Sequence, residues 1–262
     1  MEVFDLKAVP QEIDRKDLIE GLGKGLRIIE AFDDEHPRLT PSEAARLCDL
    51  TRTAARRYLL SLVHYGYAAT DGKLFWLTPH VLKLGQSYLN SARLPRLVQP
   101  FIQRASMASG ETINVSVLDG HEIVYVARSN SPRVVSIGYQ VGARLPAHVV
   151  TPGIVMLSEM KDADLLAWVD AHAFSAHSPH TVTDKEKFLG LVKDARALGY
   201  WVTEQMLDAG LRGIAVALKD RRGQCKGALG MTLPMQPLSL AQTIERMLPL
   251  LQDVAQSLRP II

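Results

Sequence analysis

Leu22, Leu26, Ile29 and Phe32 recur at three- and four-residue spacing, which predicts an amphipathic helix over about 22–33. Lys24 and Arg27 fall on its other side, within reach of phosphate. A second helix begins at Thr40, an N-cap residue followed by Pro41 at the first helical position and Glu43 at the capping-box position. Its inner face is small: Ala44, Ala45 and Leu47, with Cys48 read as core. Asp49-Leu50 makes a turn, and Thr51 caps a third helix that points Ala55, Tyr58, Leu59 and Leu62 inward. Gly66 ends it. Two short strands follow, Tyr67–Thr70 and Lys73–Thr78, joined by Asp71-Gly72, read as a two-residue hairpin. Thr78-Pro79 opens a further helix with apolar positions Val81, Leu82, Leu84, Tyr88 and Leu89, and another helix follows at about 98–108.

Beyond residue 110 the period changes. Thr112–Leu118 and Glu122–Arg128 alternate around Asp119-Gly120, a second hairpin, and Arg133–Tyr139 reads as a strand. Pro152–Met160 and Asp162–Val169 read as short helices. Thr183 or Asp184 caps a helix that Gly199 stops. Tyr200–Glu204, Gly213–Leu218 and Lys226–Thr232 read as strands, with Asp220–Gly223 turning between the last two, and an amphipathic helix closes the chain from about Ser239 to Leu258. Helices segregated around an antiparallel sheet predict an α+β domain. The expected layout is an arm at 1–20, a winged helix-turn-helix at 21–78, a linker helix at 79–97 and a second domain at 98–262.

The helix–turn–helix–hairpin plan is a device for laying one helix in the DNA major groove. Removing the inward residues of the third helix leaves Arg52, Thr53, Ala54, Arg56 and Arg57 on its outer N-terminal face. Arginine pairs bidentately with guanine or binds phosphate, a threonine methyl contacts thymine, and a small alanine permits close approach. Lys73 on the wing is a candidate phosphate contact.

Charge sharpens this picture. The net charge of the 262 residues is only +2, but Thr51–Arg96 carries seven basic residues against one acid. A basic segment in an otherwise acidic chain is the footprint of a phosphate-contacting module, although a solvated helix face gives the same count. The two cysteines, Cys48 and Cys225, lie too far apart in sequence to suggest a disulfide framework or zinc motif. No apolar run suits a membrane span or signal segment, so a cytoplasmic protein without membrane contact is expected. His172, His177 and His180 are irregularly spaced, which favours an exposed polar loop over a metal site, and no metal or cofactor is expected. No phosphate loop, nucleophile elbow or HExxH motif suggests an enzyme.

Seven stretches, in order, resemble the IclR family of bacterial transcription regulators. They are Gly21–Ile29; Leu50–Leu62 with Gly66-Tyr67 and Asp71-Gly72; Leu77–Gly85 with Tyr88-Leu89; Leu118–Gly120 with Ile123–Arg128; Gly142–Pro146; Gly210–Arg212; and Ile214–Val216. The resemblance implies a winged helix-turn-helix and a GAF-like effector domain with a curved antiparallel sheet. It also implies homodimers or homotetramers on a palindromic double-stranded operator, with RNA polymerase as a further partner. Arg56-Arg57, Tyr88–Ser91 and Val124–Arg128 are most similar to the subgroup that controls aromatic-acid catabolism, the protocatechuate and 4-hydroxybenzoate (β-ketoadipate) pathways. The expected function is a DNA-binding regulator modulated by a small organic, aromatic or aromatic-derived acid. The alternatives are a ligand-converting enzyme domain anchored to DNA, or an architectural DNA binder with a protein-docking domain.

Carried onto this chain, the family's effector site falls on Val134, Ile137, Leu145, Thr151, Pro152, Thr203, Gly213, Gly230 and Thr232. Val150-Thr151-Pro152-Gly153-Ile154 stands where relatives commonly have Thr-Ser-Met-Gly-Arg, and Thr203-Glu204-Gln205-Met206 where an acid-rich run is common. These departures imply a roomier, less polar pocket. A bound carboxylate still needs donors. His148, the threonine hydroxyls and the backbone N–H groups around Gly153 are candidates, with Arg144 and Arg212 as the cations. The plainer reading of both arginines is a structural ion pair or a bond to loop carbonyls.

Overall fold

The computed structural model describes residues 13–129 and 139–262. The chain divides into two compact units between Ser91 and Ala92, so the expected 79–97 linker spans that division. The first unit contains α1 (Glu20–Glu30), α2 (Pro41–Leu47), α3 (Arg52–His64), β1 (Ala68–Thr70), β2 (Phe75–Leu77) and α4 (Leu82–Ser91). The helix starts follow the capping residues. Thr40 and Glu43 form a reciprocal capping box, and the Thr51 hydroxyl accepts from the Ala54 N–H. Asp49 takes a left-handed conformation, φ +52°, to turn α2 into α3. The core is Ile28, Leu39, Ala44, Ala45, Cys48, Ala55, Leu59 and Phe75. Leu39 and Phe75 exchange two backbone hydrogen bonds of 2.9 Å, tying the approach to α2 onto the hairpin.

Three expectations for this unit change. Leu22 and Leu26 do not face inward; they are 64% and 44% exposed, and Ile28 is the buried residue of α1. The inner stripe runs through Gly21 and Gly25, where an added Cβ would lie 3.5 Å and 3.8 Å from Tyr58. The glycines let the tyrosine pack on the helix backbone, so the large residues no longer mark the buried side. The hairpin turn is four residues, not two: Thr70 pairs with Phe75, and the Asp71 carboxylate accepts from the N–H groups of Lys73 and Leu74. Thr78-Pro79 opens a short 3-10 turn, Pro79–Val81, before α4, and α4 buries none of its residues. Residues 1–12 of the expected arm lie outside the described residues.

The second unit holds α5 (Arg93–Ser109), β3 (Ile113–Asp119), β4 (Glu122–Ser129), β5 (Arg144–Pro146), α6 (Thr151–Ser158), α7 (Asp162–Ala171), α8 (Lys185–Leu198), β6 (Tyr200–Glu204), β7 (Leu211–Lys219), β8 (Cys225–Pro234) and α9 (Leu240–Leu258). Helix α5 starts at Arg93 rather than near 98 and carries Pro95 and Pro100. Proline is tolerated in a first turn because that N–H has no helical acceptor, but Pro100 leaves a carbonyl one turn back without its donor. The expected strand at 133–139 falls mostly outside the described residues, and β5 is a short strand the hydrophobic pattern did not suggest.

The six strands form one antiparallel, curved sheet in the order β5-β4-β3-β8-β7-β6. Side chains alternate between faces. Ile113, Val115, Ile214, Val216, Leu218, Leu229, Met231 and Leu233 join a buried cluster with residues of α5 and α9. The opposite face meets α6, which packs on β6, β7 and β8 and on α8. A bulge supports the curvature: Val115 pairs with Ala127 and Ser116 with Tyr125, leaving Val126 as the extra residue. Both Val126 and Ala127 thereby join the α5/α9 side. No helix among the described residues is long and apolar enough to cross a membrane.

Candidate functional site

Two surfaces carry the candidate chemistry, one in each unit. On α3, Ala55 and Leu59 are fully buried and fix the helix rotation. That rotation leaves Arg52, Thr53, Arg56 and Arg57 exposed and Ala54 half-buried, all within two turns of the helix N-terminus. Arg52, Arg56, Arg57 and Lys73 form no ion pair among the described residues. Lys73 sits exposed in the Asp71–Leu74 turn. Lys24 differs, being paired with Glu20 at 3.2 Å, while Arg27 is exposed on α1. The Arg38 guanidinium lies 4.6 Å from the Trp76 ring centroid and packs on the hairpin.

In the second unit a cavity, partly open to solvent, lies between the sheet and the start of α6. Its floor carries no side chain at Gly230 on β8, and at Gly213 on β7 the space a side chain would take is filled by Thr151. A Cβ at Gly213 would lie 2.1 Å from Thr151 Oγ1, so glycine is what lets α6 approach there. Thr151 Oγ1 and Thr203 Oγ1 are 2.6 Å apart. One hydroxyl proton joins them, which leaves the pair one donor to give. On the other side, the Tyr139 hydroxyl donates to Asp208 Oδ2 at 2.9 Å, and the Tyr125 and Tyr139 rings lie nearly parallel with centroids 6.1 Å apart. Burial pushes the Tyr125 phenol well above its ordinary range. Burial, reinforced by Asp208, lifts Tyr139 to about 12. Both phenols therefore stay protonated at neutral pH.

Of the residues assigned from sequence to the effector site, Leu145, Thr151, Pro152, Thr203, Gly213, Gly230 and Thr232 line this cavity. Val134 and Ile137 lie outside the described residues. Gly153 does not line it; it serves packing, since a Cβ there would fall 2.0 Å from the Ala147 carbonyl oxygen. Its N–H is also committed, to the Val150 carbonyl at 3.1 Å. His148 is fully buried away from the cavity. Arg144 is off the cavity too, holding Glu122 at 2.8 Å and Asp119 at 2.7 Å. Arg212 contributes to the lining, but its guanidinium is bound to Glu204, the Leu238 carbonyl and the Thr243 hydroxyl. The polar lining comes largely from residues not assigned from sequence: Asn114, Ser116, Tyr125, Tyr139, Gln205 and Asp208. A signal for two of them was present. Thr112, Asn114 and Ser116 alternate with Ile113, Val115 and Val117, which marks one polar face on a buried strand.

The histidines at 172–180 are more than an exposed loop. His180 is exposed, but His172 packs against Trp168, His121, His148 and Phe174 with ring centroids 4.5 to 5.0 Å away. His148 Nε2–H donates to the Ser175 carbonyl at 3.0 Å, so its Nδ1 accepts from His172 Nε2–H at 2.8 Å. Among the described residues no His, Cys, Asp or Glu group is arranged to hold a metal ion. Burial, then the neighbouring His148 and His121, pushes His172 down to about 4 from 6.5, and burial lowers His148 as well. The unfolded chain takes up these protons below about 6.5, whereas the folded unit refuses the His172 proton until about 4. Their contribution to stability is thus present above pH 6.5 and lost as pH falls toward 4. Thermal melts across that window are expected to show the loss, and His172→Phe should flatten it.

The model of the IclR helix-turn-helix domain matches residues 21–72, and that of the bacterial transcriptional regulator IclR C-terminal domain matches residues 86–259. The p-hydroxybenzoate hydroxylase transcriptional activator of Acinetobacter baylyi is 36% identical over 257 residues, covering 96% of this chain and 95% of that protein. The Pca regulon regulatory protein of Pseudomonas putida is 34% identical, covering 92% and 84%. Among solved structures, a putative transcriptional regulator from Rhodococcus sp. RHA1 superposes with a TM-score of 0.78 at 37% identity, covering 92% of this chain and 97% of that one. The inducer-binding domain of an Acinetobacter PobR double mutant, in complex with 3-hydroxybenzoic acid, gives a TM-score of 0.62 at 31% identity over 65% of this chain and 100% of that one.

Proposed function

Because the chain belongs to the IclR family of bacterial transcriptional regulators, we propose that α3 reads the major groove of a palindromic operator while the sheet cavity senses an aromatic acid. The first unit is a DNA-binding helix-turn-helix domain. The observation that carries the reading is the unpaired Arg52–Arg57 face on a helix whose opposite side is fully buried. Arg52, Thr53, Arg56 and Arg57 are the base- and phosphate-contacting residues. Arg27 and Lys73 add phosphate neutralisation, and Lys24 does so after releasing Glu20.

The operating form is a homodimer or a pair of dimers. Leu22 and Leu26 on α1, and Leu82 and Leu84 on α4, are large apolar side chains exposed in the single chain, which favours a second copy as their cover. Two copies of α3 then read half-sites about one helical turn apart, or a multiple of it. Residues 79–97 pass the state of the sensor to the DNA-binding unit, and RNA polymerase is a further contact of the assembled regulator. The protein works in the cytoplasm, where its operator lies.

Two relatives are named for p-hydroxybenzoate hydroxylase and Pca control, and a third holds 3-hydroxybenzoic acid. An aromatic acid of this class fits the cavity's mixture of flat floor, tyrosines and hydroxyl donors. Its carboxylate takes the free donor of the Thr151–Thr203 pair, with Thr232 beside it. The ligand acts by binding two arrangements of the regulator with different affinity; equal affinity would switch nothing. Thr151→Ala and Thr232→Ala are each expected to raise the effector concentration needed for half-response by about tenfold, the worth of one hydrogen bond to a charged group. Operator affinity without effector should be unchanged. A full response in both variants, measured by operator gel shift against 4-hydroxybenzoate, overturns the pocket assignment.

A further inference from the structure

The cavity contains a polar group that the protein itself does not satisfy. Asn114 is 4% exposed, and its side-chain oxygen is buried without a hydrogen-bond partner. A buried acceptor left unpaired costs about 1–3 kcal/mol, so it persists where something else supplies the donor. The register shows what lies beside it. Asn114 on β3 is directly opposite Gly230 on β8, and Gly213 on β7 is opposite Thr232. Directly opposed residues share a sheet face, so the amide stands at one edge of the floor. The Thr151–Thr203 hydroxyl pair closes over Gly213 at the other edge.

We infer that Asn114 is the residue that recognises a ring hydroxyl on the aromatic acid, its side-chain oxygen accepting the phenolic proton. The inference rests on the aromatic-acid reading of the cavity and adds the hydroxyl and the residue that selects it. β3 and β7 are separated by one strand, and their rows are offset by the two residues from Gly230 to Thr232, which puts the two polar edges about 12 Å apart. One ring with polar groups at opposite ends, plus a hydrogen bond of about 2.8 Å at each, spans that gap. The ring lies flat over the Gly230 backbone, where any Cβ would meet the Ile214 carbonyl oxygen at 2.9 Å as well as intrude on the floor. Two other groups near this edge are committed: the Tyr139 hydroxyl donates to Asp208, and Arg128 on the neighbouring strand donates to the Tyr139 carbonyl. An aromatic acid without the hydroxyl leaves the Asn114 oxygen unpaired in the complex, and it is therefore selected against.

The full-length protein is titrated by calorimetry with 4-hydroxybenzoate and with benzoate, as wild type, Asn114→Leu and Asn114→Ala. Thermal midpoints establish that each variant is folded. The wild type is expected to prefer 4-hydroxybenzoate roughly ten- to hundredfold. In Asn114→Leu, and in Asn114→Ala should the leucine not fold, that preference falls to within about twofold. Equal affinities in the wild type, or a preference that survives in a folded variant, overturn the role of Asn114 and leave the aromatic-acid reading standing. Failure of the wild type to bind either compound overturns that reading and this inference together.

Discussion

Arg57→Ala is expected to lower operator affinity on the order of 10²- to 10⁴-fold. A bidentate arginine contact contributes about 1–3 kcal/mol of discrimination, and in a dimer it is lost twice. Arg57 is exposed on the first unit, so effector-induced thermal stabilisation of the second unit should be retained. The salt dependence identifies what the residue touches. If Arg57 reads a base, the loss concentrates at one operator position. If it binds phosphate, the loss is uniform across sequences and the slope of log affinity against log salt shrinks by about one per contact. Titration of operator and mutated operator at several salt concentrations measures both, and unchanged affinity for the operator sinks the assignment of α3 as the reader.

Gly153→Ala should be the most damaging small substitution in the effector unit. Alanine is the better helix former by about 1 kcal/mol, and propensity alone predicts stabilisation. Packing reverses that sign. The new methyl would sit 2.0 Å from the Ala147 carbonyl oxygen and 2.6 Å from its Cα, and both are backbone atoms that cannot rotate aside. Forcing α6 away from this segment costs about 3 kcal/mol or more, which lowers the melting temperature of a domain this size by about 10 °C. Because Thr151 opens α6, effector binding should weaken with it. A variant that melts with the wild type shows that the close approach of α6 to Ala147 is not needed.

What was legible in the sequence was mostly local. Thr40, Thr51 and Asp184 announced helix starts because a cap is a contact between residues two or three apart. The outer face of α3 could be read because Ala55 and Leu59 set its rotation. The inner face of α1 could not, since Gly21 and Gly25 bury themselves against Tyr58, more than thirty residues away. Most of the cavity had to come from resemblance, and resemblance transferred position better than role. Thr151, Thr203 and Thr232 reach the cavity, but Gly153 and His148 sit in the same segment and face elsewhere. Arg144 and Arg212 were candidate cations by charge alone, and their carboxylate partners are 22 and 8 residues away. The His121–His148–His172 cluster draws on three separate segments, which no spacing rule joins.

Strand β3 divides two duties between alternate residues. Ile113 and Val115 hold the sheet to α5 and α9, while Asn114 and Ser116 look into the cavity. Ligand preference can therefore drift without eroding the scaffold. A library randomised at 114, 116 and 232 samples new ligands against an intact fold, which makes this domain a starting point for biosensors. The same separation gives natural selection a short mutational path from one ligand to the next.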